Sequence, residues 1–150
     1  LWVAHCPQSN MNANGVAAPI RRYLDAGIHV GLGTDIAGSN TLNMFRAISD
    51  TIVASKIYWN NMERKGDPFA EKTYLTVSEA FYLATKGGCS FWGKAGSFEK
   101  GSLFDAVVID DAPLWDFNNR SLRQRIERVV FQVDERHTVA KFINGRKVYG

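Results

Sequence analysis

His29-Val30-Gly31-Leu32-Gly33-Thr34-Asp35 reads as a short buried strand that ends abruptly in a carboxylate. Ile28, Val30 and Leu32 alternate with Gly31 and Gly33, so the segment can cross a crowded interior where two positions carry no side chain. In parallel α/β architectures ligands gather at the carboxyl ends of the strands, and in a (β/α)8 barrel the catalytic groups come from that end. Asp is also a favoured N-cap, so Asp35 is either a functional carboxylate or the cap of the turn or helix that follows.

The segment before it has the same layout. Leu1-Trp2-Val3-Ala4 is an apolar strand running into His5-Cys6-Pro7-Gln8-Ser9-Asn10, where Pro7 and the Ser/Asn pair turn the chain, and 11–15 is a polar loop of small residues. Pro19 suits the first turn of a helix whose inner face is Ile20, Tyr23 and Leu24, with Gly27 just past its end. Strand, loop, helix and strand within about 35 residues make one βαβ unit. His5 and Asp35 then stand at the ends of neighbouring strands. A carboxylate there can contact a divalent metal and take up a proton from activated water. His5 could ligate a metal, meet substrate, or satisfy itself against a backbone carbonyl. His29 and His137 lack such a setting and read as structural.

Beyond Asp35 a helical pattern runs from about Leu42 to Met62, with Leu42, Phe45, Ile48, Ile52 and Tyr58 on its buried side. Arg64-Lys65-Gly66-Asp67-Pro68 ends it. Thr76-Val77-Ser78-Glu79 is a capping box for a further helix that is expected to stop at Gly87-Gly88. From Ser97 the texture becomes β: strands are expected at 104–110 and 128–133, and His137 to Tyr149 forms a hairpin around Asn144-Gly145.

With 150 residues, 45% hydrophobic and 22% charged, the composition is globular. A complete (β/α)8 barrel needs at least about 200 residues, so a chain opening directly on a strand at Leu1 is expected to be part of a longer one. No apolar run approaches the roughly 20 residues that span a bilayer, and no signal segment opens the chain. Cys6 and Cys89 are isolated, as in a reducing, cytoplasmic setting. Of the charged side chains, 120–150 holds 8 basic and 3 acidic, but no nucleic-acid motif accompanies them. They read as a solvated face. The nucleophile elbow, the P-loop and the cytidine-type zinc-deaminase signature are all missing from the sequence.

His5-Cys6-Pro7-Gln8-Ser9-Asn10, then Gly31-Leu32-Gly33-Thr34-Asp35 with Gly38, then Ala80-Phe81-Tyr82-Leu83-Ala84-Thr85-Lys86-Gly87-Gly88, resemble the carboxyl-terminal portion of the guanine deaminases, in the deaminase branch of the amidohydrolase superfamily. The likeness continues through 96–106 and 139–146. It implies an α/β fold: the carboxyl-terminal part of a metal-dependent (β/α)8 TIM barrel (residues 1–96, the last βα units) plus part of a flanking small β-sandwich domain (residues 97–150). It also implies a zinc enzyme that hydrolyses guanine to xanthine and ammonia, small-molecule specific, binding neither nucleic acid nor membrane, and homo-oligomeric at full length.

By that resemblance Asp35 is the strand-eight aspartate, a metal contact and proton shuttle. His5 falls at the end of strand seven, lining the substrate pocket or standing behind the ligands. The family's His-x-His pair, its two other metal histidines and its catalytic glutamate have no counterpart in this sequence. The other zinc ligands are therefore expected outside it, and the chain by itself is expected to be inactive and prone to associate. Two rival readings remain open. One is another aminohydrolase of the superfamily, acting on a different purine, a pyrimidine, a triazine or an adenosine derivative. The other is a non-catalytic interaction module.

Overall fold

The computed structural model describes residues 1–67, 73–114 and 117–150. Two short strands, β1 (Trp2–His5) and β2 (His29–Leu32), pair in parallel with Trp2 opposite His29, Val3 opposite Val30 and His5 opposite Leu32. The link between them contains helices α1 (Pro7–Asn14) and α2 (Ile20–Asp25). Helix α3 (Met44–Arg64) and helix α4 (Val77–Tyr82) follow. Then come β3 (Ala106–Ile109), α5 (Leu122–Gln132), β4 (Thr138–Ile143) and β5 (Arg146–Tyr149), the three strands forming an antiparallel sheet in that order.

Among the described residues, one face of the β1–β2 pair is packed on the core and the other is covered only in part, where Gly88 lies against Gly31 and Phe91 against Trp2. Val3 and Val30 turn to a core of Ile20, Leu75 and Leu83, with Tyr23, Leu24 and Ile28 at its margin. A second cluster of Ile48, Ile52, Ala80 and Val130 shares Leu32 with the first, joining α3, α4 and α5 behind the sheet. Side chains alternate along a strand, so Trp2 and Ala4 point the other way, where both are exposed. On that face Trp2 stacks on His29 with centroids 4.3 Å apart and meets the edge of Phe91. Arg21 anchors α2 to α4 through two bonds to Glu79, at 2.7 and 2.8 Å, and Glu79 closes the capping box with Thr76. The Arg21 guanidinium is the main reason the Glu79 carboxyl is held down at about 2.

Several sequence expectations hold. Pro19, Ile20 and Gly27 frame α2, the Thr76 capping box opens α4, and the hairpin turns at Asn144-Gly145, both residues with positive φ as a type I′ turn needs. The long helix is shifted by two residues and leaves Leu42 exposed outside it. Pro68, expected as part of its stop, lies outside the described residues. Three expectations are overturned. Residues 11–15 are not a loop: α1 runs from Pro7 at its first turn to a left-handed Gly15. Residues 128–133 are not a strand: Ser121 and Gln124 cap each other reciprocally, and the helix so begun turns Val130 into the core.

Gly87-Gly88 is also not where the helix breaks: Thr85, two residues earlier, leaves helical geometry (φ −122°, ψ −106°), and the chain kinks there and turns on past both glycines into a 3-10 turn (Ser90–Trp92). The glycines permit contact. A Cβ on Gly88 would lie 2.8 Å from the Leu83 carbonyl oxygen and 3.4 Å from Gly31 Cα. Neither backbone group can retreat easily, so Gly88→Ala is expected to cost about 1–3 kcal/mol, read from urea unfolding. A loss below a few tenths would show that helix and strand can separate without cost.

Candidate active site

Asp35 follows the end of β2, with the backbone at φ 51°, a left-handed conformation that Asp tolerates better than most residues. Its carbonyl oxygen accepts bonds from the amides of Gly38 (2.9 Å) and Ser39 (2.8 Å), closing a tight turn. Asp35 itself is exposed. It therefore caps a turn, as a favoured capping residue can, but it does so with its backbone and leaves the side chain available.

Helix α1 lies against this turn and holds it at three points. Ser9 Oγ donates to Asp35 Oδ2 at 2.5 Å, Asn12 Nδ2 donates to the Gly38 carbonyl at 3.0 Å, and the Asn40 amide donates to Gln8 Oε1 at 2.8 Å. Cys6 lies alongside, close enough to Gly33 that a Cβ there would come within 3.0 Å of its sulfur. Burial, and then the Asp35 charge, push the Cys6 thiol up, so it is a poor nucleophile at neutral pH. The two motifs, 5–10 and 31–38, thus form one unit. This explains a helix without an apolar stripe: its polar side chains are spent on the loop.

His5 is placed differently. It shares the face of Val3, is 2% exposed, and neither ring nitrogen has a hydrogen-bond partner among the described residues, so no described backbone carbonyl satisfies the ring. Burial lowers its pKa to about 4, so the ring is neutral. His29 stacks on Trp2, and His137 Nδ1 lies 2.9 Å from Asp134 Oδ1. Among the described residues no three His, Cys, Asp or Glu side chains come together to hold a metal ion. Asp35 nonetheless suits a single contact to a divalent ion. Its Oδ2 is fixed by Ser9, while Oδ1 accepts no bond from the described residues. Sequence reasoning misses Gln8, Ser9 and Asn12 as partners of the loop. The signal is present in the Ser/Asn-rich stretch after Pro7, which reads locally as a turn.

Residues 2–148 match the model of the amidohydrolase family. The guanine deaminase of Dictyostelium discoideum is 31% identical over 153 residues, covering 97% of this chain and 32% of that protein. A 5-methylthioadenosine/S-adenosylhomocysteine deaminase of Haloarcula marismortui is 37% identical over 140 residues, 91% of this chain and 30% of that protein. Among solved structures, guanine deaminase from C. acetobutylicum with bound guanine superposes with a TM-score of 0.87 at 39% identity, covering 99% of this chain and 34% of the other. The chain spans about a third of the length of these curated relatives. A family match running from the first strand almost to the end of the last, around a turn built on Asp35, shows that the chain belongs to the amidohydrolase family.

Proposed function

We propose that these residues supply the Asp35 side of the active site in a longer, zinc-dependent enzyme that hydrolyses guanine to xanthine and ammonia. The observation that carries this is the 0.87 TM-score and 39% identity to a guanine-bound guanine deaminase over nearly the whole chain. In this proposal residues 1–96 are the last βα units of a (β/α)8 barrel and 97–150 part of a small β-sandwich beside it. The exposed part of the β1–β2 face that bears Trp2 and Ala4 fits a barrel interior. The enzyme is further proposed to be a cytoplasmic homo-oligomer. Among the described residues, no helix is long and apolar enough to cross a membrane.

Zinc, when bound, supplies a Lewis acid and brings the pKa of water toward 7. Asp35 is the residue of this chain that would contact it, and Oδ1 accepts the proton released as water attacks the ring carbon bearing the amino group. As the new C–O bond forms, the ring C=N π pair moves onto the ring nitrogen; Asp35 then gives its proton to the amino nitrogen, the C=N bond re-forms as the C–N bond to that group breaks, and ammonia leaves with xanthine as its hydroxy tautomer. His5, neutral and buried at the adjacent strand end, stands behind the pocket wall and does not ligate the metal.

A catalytic zinc site takes about three protein ligands, so the isolated 150 residues are expected to form no xanthine. The test is a panel of guanine, adenosine, 5-methylthioadenosine and a triazine, assayed on the full-length protein with zinc content measured in parallel. Guanine is expected to lead the others in kcat/KM by about 100-fold or more, the scale that hydrogen-bonding sites achieve between bases. The 37% identity to the Haloarcula deaminase favours one second reading, an adenosine-derivative deaminase. Turnover of 5-methylthioadenosine with guanine untouched would establish it in place of the first.

A further inference from the structure

We infer that Ser9 is a positioning residue for the deamination, fixing which oxygen of Asp35 meets the reacting water; the inference rests on the reading that Asp35 carries the proton. Ser9 stands in the first half of α1, 26 residues before Asp35, and its hydroxyl donates to Oδ2 at 2.5 Å, the short range of a charge-assisted O–H···O⁻ bond. That bond takes up Oδ2 and leaves the lone pairs of Oδ1 for the proton. Without it the carboxylate can rotate about its last torsion, a soft, roughly two-fold motion, and either oxygen then faces the water in a looser geometry.

The surroundings are shaped around this pair. A Cβ on Gly38 would lie 2.6 Å from Ser9 Oγ and 2.9 Å from Asp35 Oδ2, so the loop leaves room there for the hydroxyl and the carboxylate together. Gly38 is not at positive φ, so its lack of a side chain answers to that contact and not to a backbone need. Asn12 and Gln8 pin the same loop from the same helix at Gly38 and Asn40, which keeps the loop in place when the Ser9 hydroxyl alone is removed.

The test uses the full-length, zinc-loaded enzyme. Ser9→Ala is expected to lower kcat about 10- to 100-fold, the usual cost of removing the partner that orients an active-site ligand, with KM within about twofold. Zinc stoichiometry by elemental analysis and hydrogen-exchange protection of the Gly38 and Ser39 amides are expected to stay unchanged. Ser9→Thr, which keeps the hydroxyl, is expected to recover most of kcat. Gly38→Ala should reproduce the Ser9→Ala loss, and the double variant should be no slower than either single one, because both break one contact. Unchanged kcat in Ser9→Ala, or a loss matched by lost zinc or lost amide protection, would overturn the inference. If Asp35→Asn is itself fully active, the underlying reading fails; if Asp35→Asn is dead and Ser9→Ala is not, only the role of Ser9 fails.

Discussion

Asp35→Asn in the full-length enzyme is expected to lower kcat for guanine by about 10²- to 10⁴-fold, the range that a positioned proton-transfer group contributes. The substitution is nearly isosteric. An amide oxygen can still accept the Ser9 hydroxyl, so the turn built from the Asp35 carbonyl to Gly38 and Ser39 is expected to survive, as a thermal midpoint would show. What the amide cannot do is bind and release a proton near neutral pH. Asp35→Glu is the complementary variant: it keeps the carboxylate but moves it out by a methylene and away from Ser9. An intermediate rate is expected, because a displacement of about 1 Å at a reacting group can cost 10²-fold. A variant Asn enzyme within threefold of the parent, with its zinc content intact, would remove Asp35 from the proton path.

Much of this arrangement is legible in the amino-acid sequence, and the parts that are not share a cause. Local chemistry reads correctly where a few residues carry the whole signal. Thr76 and Glu79 cap each other as expected, and Asn144-Gly145 makes the turn that positive φ demands. The strand ending at Leu32 and the exposed carboxylate beyond it also stand where the alternation with glycine puts them. Local reading fails where tertiary contacts decide. Helix α1 has no apolar stripe, because its polar side chains hold the Asp35 loop, so its composition looks like a loop. In α5 the pair Val129-Val130 suggests a strand, yet Ser121 and Gln124 set the start of a helix and burial of Val130 against Ile48, Ile52 and Ala80 keeps it. A second capping box is therefore in the sequence and is masked by β-branching. Gly87-Gly88 looks like a helix stop, yet the break comes at Thr85, and nothing local records that Gly88 touches Gly31, more than fifty residues earlier.

The second large effect concerns His5 and pH. An unfolded chain titrates His5 near 6.5, while burial holds it at about 4 in the fold. Between those values the unfolded state binds more protons, so stability rises with pH, and as pH falls from 6.5 to 4 the fold loses up to about 3 kcal/mol through this one ring. Glu79 has the opposite kind of shift. Its carboxyl is depressed from 4.5 to about 2, so its contribution is complete above pH 4.5 and is lost only as pH falls through the range below. The interval from pH 4.5 to 6.5 therefore isolates His5 from this carboxylate. Urea unfolding at pH 7 and pH 5 is expected to differ by about 2 kcal/mol in the parent protein and by much less in His5→Leu. Equal slopes in the two proteins would mean that the ring reaches solvent or a proton acceptor when it charges. At pH 7, His5→Leu is expected to be as stable as the parent or more so, since a buried imidazole with neither nitrogen bonded, as among the described residues here, costs about 1–3 kcal/mol that an apolar side chain avoids. A stable His5→Leu enzyme with lowered kcat would then mark His5 as a residue kept at a cost in stability for the chemistry at the neighbouring strand end, whereas full activity would leave it a burden on the fold alone.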